Sequence, residues 1–340
     1  MEKATFISDI IFETDYDEDY EDDYGSIYFS SLAIDHEGNL LTIDNRNEKL
    51  YQLKLENSTD KYQISKMFGR KTQPNDVIDD KIKYISQYPI HDNMIMKNNK
   101  YGEILLCDKR GAGQLATITF FKWDSNVDDY YVTNIIDNID TDFIDCIDID
   151  NLGNIYICSA GESMISVLHW DENTKTYTQN LIFRNENNIE ENLNNPLGIV
   201  VNDKGRIYIS DSASNTIKYL EYDNELDRYV LITIAGSGEP GDRDGIDTES
   251  NFNFPMRVDI DKNDPDEKIY VTDEPNGKVK CIQWNYKHNL YETYTIFDGT
   301  DEEEYPRDMI IDRYGNIYVT SKNKIIKLTR TSSGPKSAVY

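Results

Sequence analysis

Charged side chains stand just before several of the apolar segments that recur in this sequence. Arginine and aspartate predominate among them, so the set could bind a polar ligand, or its members could neutralise one another. The candidate binding residues are His91, Asp92, Asp145, Arg257, Arg307 and Asp308.

The histidines and cysteines of the chain give little indication of nucleophilic or redox catalysis. The chain has four histidines and four cysteines, and no Ser/His/Asp or Cys/His arrangement stands out. No two cysteines form a CxxC pair, and each lies among apolar residues. We therefore predict no catalytic residue, and we interpret the cysteines as buried free thiols in a reducing compartment. They are Cys107, Cys146, Cys158 and Cys281.

Bringing the candidate residues together requires distant segments to converge, and repeated hairpins supply the means. An apolar strand, a polar turn and a second apolar strand recur six times, as in LAIDHEGNLLTID from Leu32 to Asp44. Five copies are followed by a second hairpin in which a bulky residue lies seven positions before a tyrosine. All three tryptophans occupy this bulky position, so we predict that it packs on the outer part of each unit. The pairs are Leu55 and Tyr62, Trp123 and Tyr130, Trp170 and Tyr177, Tyr222 and Tyr229, and Trp284 and Tyr291.

Two hairpins make four antiparallel strands, here called a to d in chain order. Such units every ~50–60 residues, without helical periodicity, are typical of propeller blades, and the residues that begin strand a then face the axial channel. The sixth copy lacks strand d, and we predict that Thr5–Glu13 supplies it by pairing with Lys324–Arg330. The predicted fold is all-β, a six-bladed β-propeller of four-stranded antiparallel blades that forms a single domain over residues 1–330. Its parts are the closing strand 5–13, blades at about 29–69, 89–137, 143–184, 196–236, 255–299 and 306–330, and a flexible tail at 331–340.

The connector before the fifth blade carries a family signature. It reads IAGSGEPGDRDG and is followed by FNFP, which resembles the connector of NHL-repeat six-bladed β-propellers. The blade entry PLGIVVNDKGRIYISDSASNTIKYL, from Pro196 to Leu220, is similar to the same repeat. The resemblance covers Pro196 to Leu328 well and the first three blades less well. It implies a fold, and it leaves the function open because this architecture hosts enzymes and binding modules alike.

Two enzyme types that resemble NHL proteins can be compared with this chain. Amidating-lyase propellers hold zinc through several histidines, but only His91 maps near the axis here, so a three-histidine zinc site is not predicted. Lactonase-type propellers hold calcium through Glu, Asn and Asp. Asp145 and Asp308 could contribute to such a site, although no glutamate begins a blade.

Acidic residues dominate the chain, whose formal net charge is −28. Such a charge repels nucleic acid and anionic lipid surfaces, so we predict a protein partner with a basic surface and no nucleic-acid partner. The long connectors from strand d to the next strand a emerge on one face of a propeller, and they carry much of this acid. The predicted acidic partner face contains Asp17, Glu18, Asp19, Asp22, Asp23, Glu302, Glu303 and Glu304.

Two functions stay open at this point. One is a non-catalytic NHL-like propeller, a protein-binding or structural platform that acts through its acidic, loop-rich face and needs no cofactor. The other is a divalent-metal-dependent hydrolase or lyase, lactonase-like, with its site in the central channel. No apolar stretch approaches the ~20 residues of a membrane helix, so no membrane insertion is expected. The N-terminus lacks a signal-peptide profile, which predicts an intracellular location, the cytoplasm or a virus particle if the source is viral.

Overall fold

A computed structural model describes most of the chain. The described residues are 3–13, 29–44, 48–56, 61–71, 83–90, 94–108, 116–141, 144–185, 191–300 and 304–331. The predicted tail at 331–340 lies outside them except for Thr331, which ends the last strand and is therefore not part of a tail. No helix in these ranges combines the length and the apolar character needed to cross a membrane.

The described residues form 27 strands, numbered here in chain order. The first fourteen are β1 Thr5–Glu13, β2 Phe29–Ile34, β3 Leu40–Asp44, β4 Lys49–Leu55, β5 Tyr62–Phe68, β6 Arg70–Lys71, β7 Pro89–Ile90, β8 Ile95–Asn98, β9 Ile104–Asp108, β10 Ala116–Asp124, β11 Asp129–Ile139, β12 Cys146–Ile149, β13 Ile155–Ser159 and β14 Met164–Asp171. The others are β15 Thr176–Arg184, β16 Pro196–Val201, β17 Ile207–Asp211, β18 Thr216–Asp223, β19 Arg228–Ala235, β20 Gly245–Ile246, β21 Val258–Ile260, β22 Ile269–Asp273, β23 Lys278–Asn285, β24 Leu290–Asp298, β25 Met309–Ile311, β26 Ile317–Ser321 and β27 Lys324–Thr331. Short 3-10 turns lie at Ile85–Gln87, Ser212–Ser214, Asp247–Glu249 and Glu274–Asn276.

Six antiparallel sheets form the blades of the ring. Blades one to four are β2–β5, β8–β11, β12–β15 and β16–β19, each with its strands hydrogen-bonded in chain order. Blade five is β21–β24, and blade six combines β25–β27 with β1. The predicted six-bladed all-β propeller is therefore confirmed. Each blade corresponds to one copy of the hairpins that repeat in the sequence.

The N-terminal strand closes the ring. β1 lies antiparallel to β27, with Thr5 opposite Thr331 and Glu13 opposite Lys324. Ile11 and Phe12, at the end of β1, are buried against blade one. The predicted pairing is thus confirmed, and it covers an edge of β27 that would otherwise expose unpaired backbone groups.

The core is divided among the seams between neighbouring blades. Apolar clusters of the described residues each combine side chains from two adjacent blades. At the first seam, for example, Leu41 and Phe68 of blade one meet Ile104 and Phe121 of blade two. Each such buried side chain contributes on the order of 1.5–3 kcal/mol. A blade is consequently stable only with neighbours on both sides, which explains why ring closure matters.

The repeated aromatic position lies where β-hairpins turn at the outer side of the blades. Trp123, Trp170, Tyr222 and Trp284 each stand directly opposite the tyrosine seven positions later. Their ring centroids are 4.9 to 5.3 Å apart. Trp123 is buried, whereas Tyr222 is 43% exposed. The position is a cross-strand pair, as its spacing predicts, but it is less buried than expected because the outermost hairpins reach solvent.

The connector that resembles the NHL signature packs along the outside of blade five. β20 pairs with β24 and adds a fifth strand to that sheet. Phe252 is fully buried between blades four and five. Gly236 has a φ of +96°, and a Cβ there would lie 2.4 Å from the Asn215 carbonyl oxygen, so only glycine fits. Residue Tyr84 similarly bridges to β11 of blade two. These connectors therefore cover the outer edges of the blades that they precede.

Candidate functional site

The central channel has two chemically different ends. At its connector end each strand a begins, and at its turn end each strand a enters the turn to strand b. The predicted binding residues Asp145, Arg257, Arg307 and Asp308 lie at or near the connector end, at the starts of β12, β21 and β25. His91 and Asp92 lie outside the described residues.

Asp308 joins blade six to blade one. Its Oδ2 accepts a hydrogen bond of 2.8 Å from the backbone N–H of Leu32 in β2. Its Oδ1 lies 3.4 Å from Nε of Arg257 in blade five. Asp308 is 7% exposed, so both interactions are nearly free of competing water. This carboxylate is used to hold three blades in register.

The other predicted residues at this end are also used by the fold. The Arg257 guanidinium donates to the carbonyl of Leu197 in blade four. Arg307 lies 3.8 Å from Glu274, whose pKa is raised by burial. Asp145 Oδ2 accepts a hydrogen bond of 2.8 Å from the Ala160 N–H. Asp145 and Asp308 thus serve different backbone donors. Among the described residues, no three His, Cys, Asp or Glu side chains converge as a metal site would require.

A cavity of about 720 Å³ opens at the turn end of the channel. It is lined by the a-to-b turns of blades one, two, three, five and six, and by strand-a residues beneath them. Turn carboxylates such as Asp150 and Asp312 accept hydrogen bonds from backbone N–H groups of their own turns. Asp150 Oδ1, for example, accepts from the N–H groups of Leu152 and Asn154 at 2.8 and 2.9 Å. A cavity of this size is within the range of small-molecule sites.

The floor of this cavity carries a cluster of charged groups from three blades. Lys97 Nζ lies 3.5 Å from Asp148 Oδ1 and 3.6 Å from Asp259 Oδ2. Lys262 Nζ lies 3.8 Å from Asp148 Oδ2. Asp148 Oδ2 also accepts a 2.8 Å hydrogen bond from the Val201 N–H of blade four. We call Lys97, Asp148, Asp259 and Lys262 the floor cluster.

Burial and charge act against each other within the floor cluster. Burial raises the pKa of Asp259, and the neighbouring Asp148 raises it further, while Lys97 lowers it. Burial lowers the pKa of Lys97, but Asp259 and Asp148 more than offset this and leave the pKa above its ordinary value. Lys97 is therefore a charged ammonium group at neutral pH.

The floor cluster is not among the residues predicted from the sequence. Lys97, Asp148 and Asp259 each stand two positions before the Asn or Asp that begins an a-to-b turn. The equivalent residues of the other blades are Ala33, Val200 and Ile310. A charged residue at a position of strand a that is apolar in the other blades was the signal in the sequence that could have indicated this cluster.

Most of the predicted acidic partner face lies outside the described residues. These are Asp17, Glu18, Asp19, Asp22, Asp23, Glu302 and Glu303. Glu304 is described, and its expected exposure was wrong. It is 2% exposed and accepts a 2.6 Å hydrogen bond from Lys324 Nζ. Its backbone N–H donates a 2.9 Å hydrogen bond to the Gly299 carbonyl.

The connector from 236 to 255 lies within the described residues, and its exposed side chains show the charge of this part of the connector face. It exposes one basic side chain, Arg243. Lysines of β23 contact two of its acids: Lys278 Nζ lies 2.8 Å from Asp242 and Lys280 Nζ 3.4 Å from Asp244. The surface of the connector is acidic on balance, because its exposed carboxylates are Glu239, Asp242, Asp244 and Glu249.

Comparisons with known proteins agree with this architecture. The NHL repeat family matches residues 193–218, the entry to blade four and its first two strands. The protein SUPPRESSOR OF QUENCHING 1, chloroplastic, from Arabidopsis thaliana is 29% identical over 93 residues. That match covers 27% of this chain and only 8% of the relative, so this chain spans a small part of the relative's length.

Two solved structures show the same fold at low sequence identity. An auxiliary nutrient binding protein from Bacteroides ovatus ATCC 8483 has a TM-score of 0.61 and 14% identity, over 97% of this chain and 78% of that one. A catalytically inactive virginiamycin B lyase from Staphylococcus aureus, solved with quinupristin, has a TM-score of 0.53 and 13% identity, over 95% and 99% of the chains. At such identities the likeness concerns the fold alone. The matched repeat lies within a ring of six blades built from repeated hairpins, so this chain is a six-bladed β-propeller that contains an NHL repeat.

Proposed function

We propose that this propeller is a non-catalytic platform that binds a protein partner with a basic surface. The binding surface in this proposal is the connector face, which consists of the d-to-a connectors and the b-to-c turns beside them. The observation that carries the proposal is the use of the connector-end charges by the fold itself. Asp308 and Arg257 bond to neighbouring blades, so they are not free to act on a substrate.

The charge of the connector face supports the choice of partner. Four carboxylates and one guanidinium are exposed on the described connector from 236 to 255. The whole chain carries a net charge of −28, which adds a long-range field of the same sign. Such a field speeds the approach of a basic protein and slows that of nucleic acid.

The proposal can be tested with a fluorescently labelled lysine-rich peptide as the probe. The test variant combines Glu239→Gln, Asp242→Asn, Asp244→Asn and Glu249→Gln. The control variant removes four exposed carboxylates from the opposite face, through Glu172→Gln, Asp203→Asn, Glu225→Gln and Asp227→Asn. Both variants change the net charge equally. Because Asp242 and Asp244 pair with Lys278 and Lys280, the melting temperatures of the two variants are compared first, and a difference in association between two folded variants then reports location.

We expect the test variant to associate with the peptide roughly tenfold more slowly than the natural chain, and the control variant roughly twofold more slowly. Raising the salt concentration should abolish the difference, because exposed charges are screened beyond ~8 Å at physiological ionic strength. Equal effects of the two variants would show that net charge, and not the connector face, attracts the peptide. Binding that ignores salt would contradict the proposal as well.

A further inference from the structure

The floor cluster at the turn end retains hydrogen-bonding capacity that the described part of the protein does not use. Lys97 Nζ approaches two carboxylates, but at 3.5 and 3.6 Å it makes ion pairs without forming hydrogen bonds. Its side chain is 18% exposed, and it lines the cavity together with Lys262. Buried ammonium groups ordinarily donate several hydrogen bonds, so a polar occupant would improve this arrangement.

Charge balance restricts what that occupant can be. Two ammonium groups and two carboxylates make the floor cluster neutral. A ligand with a single charge would unbalance the floor cluster, which is costly because Lys97, Asp148 and Asp259 have little contact with water. A zwitterion keeps the balance, since its carboxylate can bind Lys97 and Lys262 while its ammonium binds Asp148 and Asp259.

The flank of the cavity adds an apolar surface. Leu55 and Tyr62 of blade one and Tyr318 of blade six line it, on strands that lie further from the axis than the strand-a residues of the floor cluster. The two tyrosine rings meet edge to face at 6.4 Å, and Leu55 is 49% exposed although it is apolar. An aromatic or aliphatic group of a ligand could cover this surface and remove it from water.

We infer that the turn-end cavity binds a small zwitterion with an apolar side chain, of the α-amino acid type. The charged head of the ligand lies on the floor cluster, and its side chain extends toward the flank that Leu55, Tyr62 and Tyr318 form. This site is separate from the connector face, at the other end of the channel, so either can exist without the other.

The experiment compares three probes with the same phenyl ring by titration calorimetry on the full chain. L-Phenylalanine carries both charges, phenylethylamine only the positive one, and 3-phenylpropionate only the negative one. We expect L-phenylalanine to bind with a Kd between about 10 μM and 1 mM, which suits a ligand of its size. Each analogue with one charge should bind at least tenfold more weakly.

Variants then locate the binding. Lys97→Met and Asp259→Asn should each weaken L-phenylalanine binding at least tenfold. Lys262→Met should also weaken binding, and it changes a residue that is more exposed to solvent. Lys204→Met is the matched control, because Lys204 lies in the a-to-b turn of blade four, outside the cavity lining. Melting temperatures show which variants are folded.

Three results would overturn the inference. They are no binding of L-phenylalanine at about 10 mM, equal binding of a singly charged analogue, and unchanged binding in a folded Lys262→Met variant.

Discussion

The two ends of the channel use the same residue types in different ways. At the connector end, Asp308 and Arg257 bond to backbone groups of neighbouring blades, and Asp308 makes a hydrogen bond of 2.8 Å. At the turn end, Lys97 and Asp259 stay 3.6 Å apart on the floor of a cavity of about 720 Å³. The first pair stabilises the ring, whereas the second remains available to an occupant.

This difference shows that a charge inside a propeller channel does not by itself indicate chemistry. Side chains at the starts and middles of strand a also connect the blades: Ser31 accepts from the Met96 N–H at 2.9 Å, as Asp148 does from Val201. A group becomes a candidate for ligand binding only where its hydrogen bonds are unfilled and space exists beside it.

Opening the ring is the most severe test of the comparison, since both ends depend on closure. Deleting residues 1–13 removes β1, with the buried Ile11 and Phe12 and the backbone pairing to β27. We expect a loss of more than about 5 kcal/mol and aggregation through the exposed edge. Circular dichroism melting and gel filtration measure both effects. Deletion of 332–340 is the control, and equal melting of the two deletion variants would contradict the closure.

Removing one carboxylate from each end of the channel should lower the free energy of unfolding by different amounts. Asp308→Ala leaves the Leu32 N–H and the Arg257 guanidinium without their partner, and we expect a loss of about 3–5 kcal/mol. Asp259→Asn removes a carboxylate that makes only a 3.6 Å ion pair, and the amide oxygen can still accept from Ile260. A smaller loss, of about 1 kcal/mol, is expected there, because burial already disfavours the charged form of Asp259 and Asp148 still faces Lys97. Urea unfolding gives both values, and similar losses would break the comparison.

The connector end should also show a pH dependence through Asp273. This residue ends β22 and accepts a 2.9 Å hydrogen bond from the Asn253 N–H of the connector. Burial raises its pKa from 3.8 to about 6. The folded state then holds the proton more tightly than the unfolded state, so the stability from this group is present below pH 3.8 and is lost as pH rises through 6.

The measurement compares urea unfolding of the natural chain and Asp273→Asn at several pH values. Between pH 4 and pH 7 the natural chain should lose up to about 3 kcal/mol relative to the variant, which does not titrate at this position. A gap that grows in favour of the natural chain as pH rises would show that the pKa of Asp273 is lowered in the fold.

The smallest effects are expected far from the channel, in the aromatic pairs. Trp170→Ala removes a half-buried ring that lies 4.9 Å from Tyr177, and we expect a loss of about 1–2 kcal/mol. Tyr222→Ala, at a ring that is 43% exposed, should cost less than about 1 kcal/mol. Thermal unfolding of the two variants checks this order. A reversal would indicate that exposure does not set the contribution of this position.

The sequence allowed the ring to be predicted because its signals are local and repeated. Each hairpin has its own turn, and the missing strand of the last copy pointed to Thr5–Glu13. The meeting of Arg257 and Asp308 was also predictable, since both begin a strand a. Their bonds to Leu197 and Leu32 were not, because those backbone groups belong to other blades.

The floor cluster and Glu304 could not be derived from local pattern. Lys97, Asp148 and Asp259 meet only after blades two, three and five have closed around one axis. Glu304 belongs to a run of acids that is typical of exposed loops, yet Lys324, twenty residues later, draws it into the protein. In both cases the charged group pairs with a residue from a distant part of the chain. The neighbouring sequence therefore does not show that the group is buried.

Hydrogen–deuterium exchange tests the central claim, that the connector face is the binding surface, most directly. The full chain is compared with and without the lysine-rich peptide at low salt. We predict slower exchange in the connector from 236 to 255 and in the neighbouring segment 291–300, with unchanged exchange in the a-to-b turns. Slower exchange confined to the turns, at Asn99–Gly102 or Asp312–Gly315 for example, would contradict the account and place the partner at the opposite end of the channel.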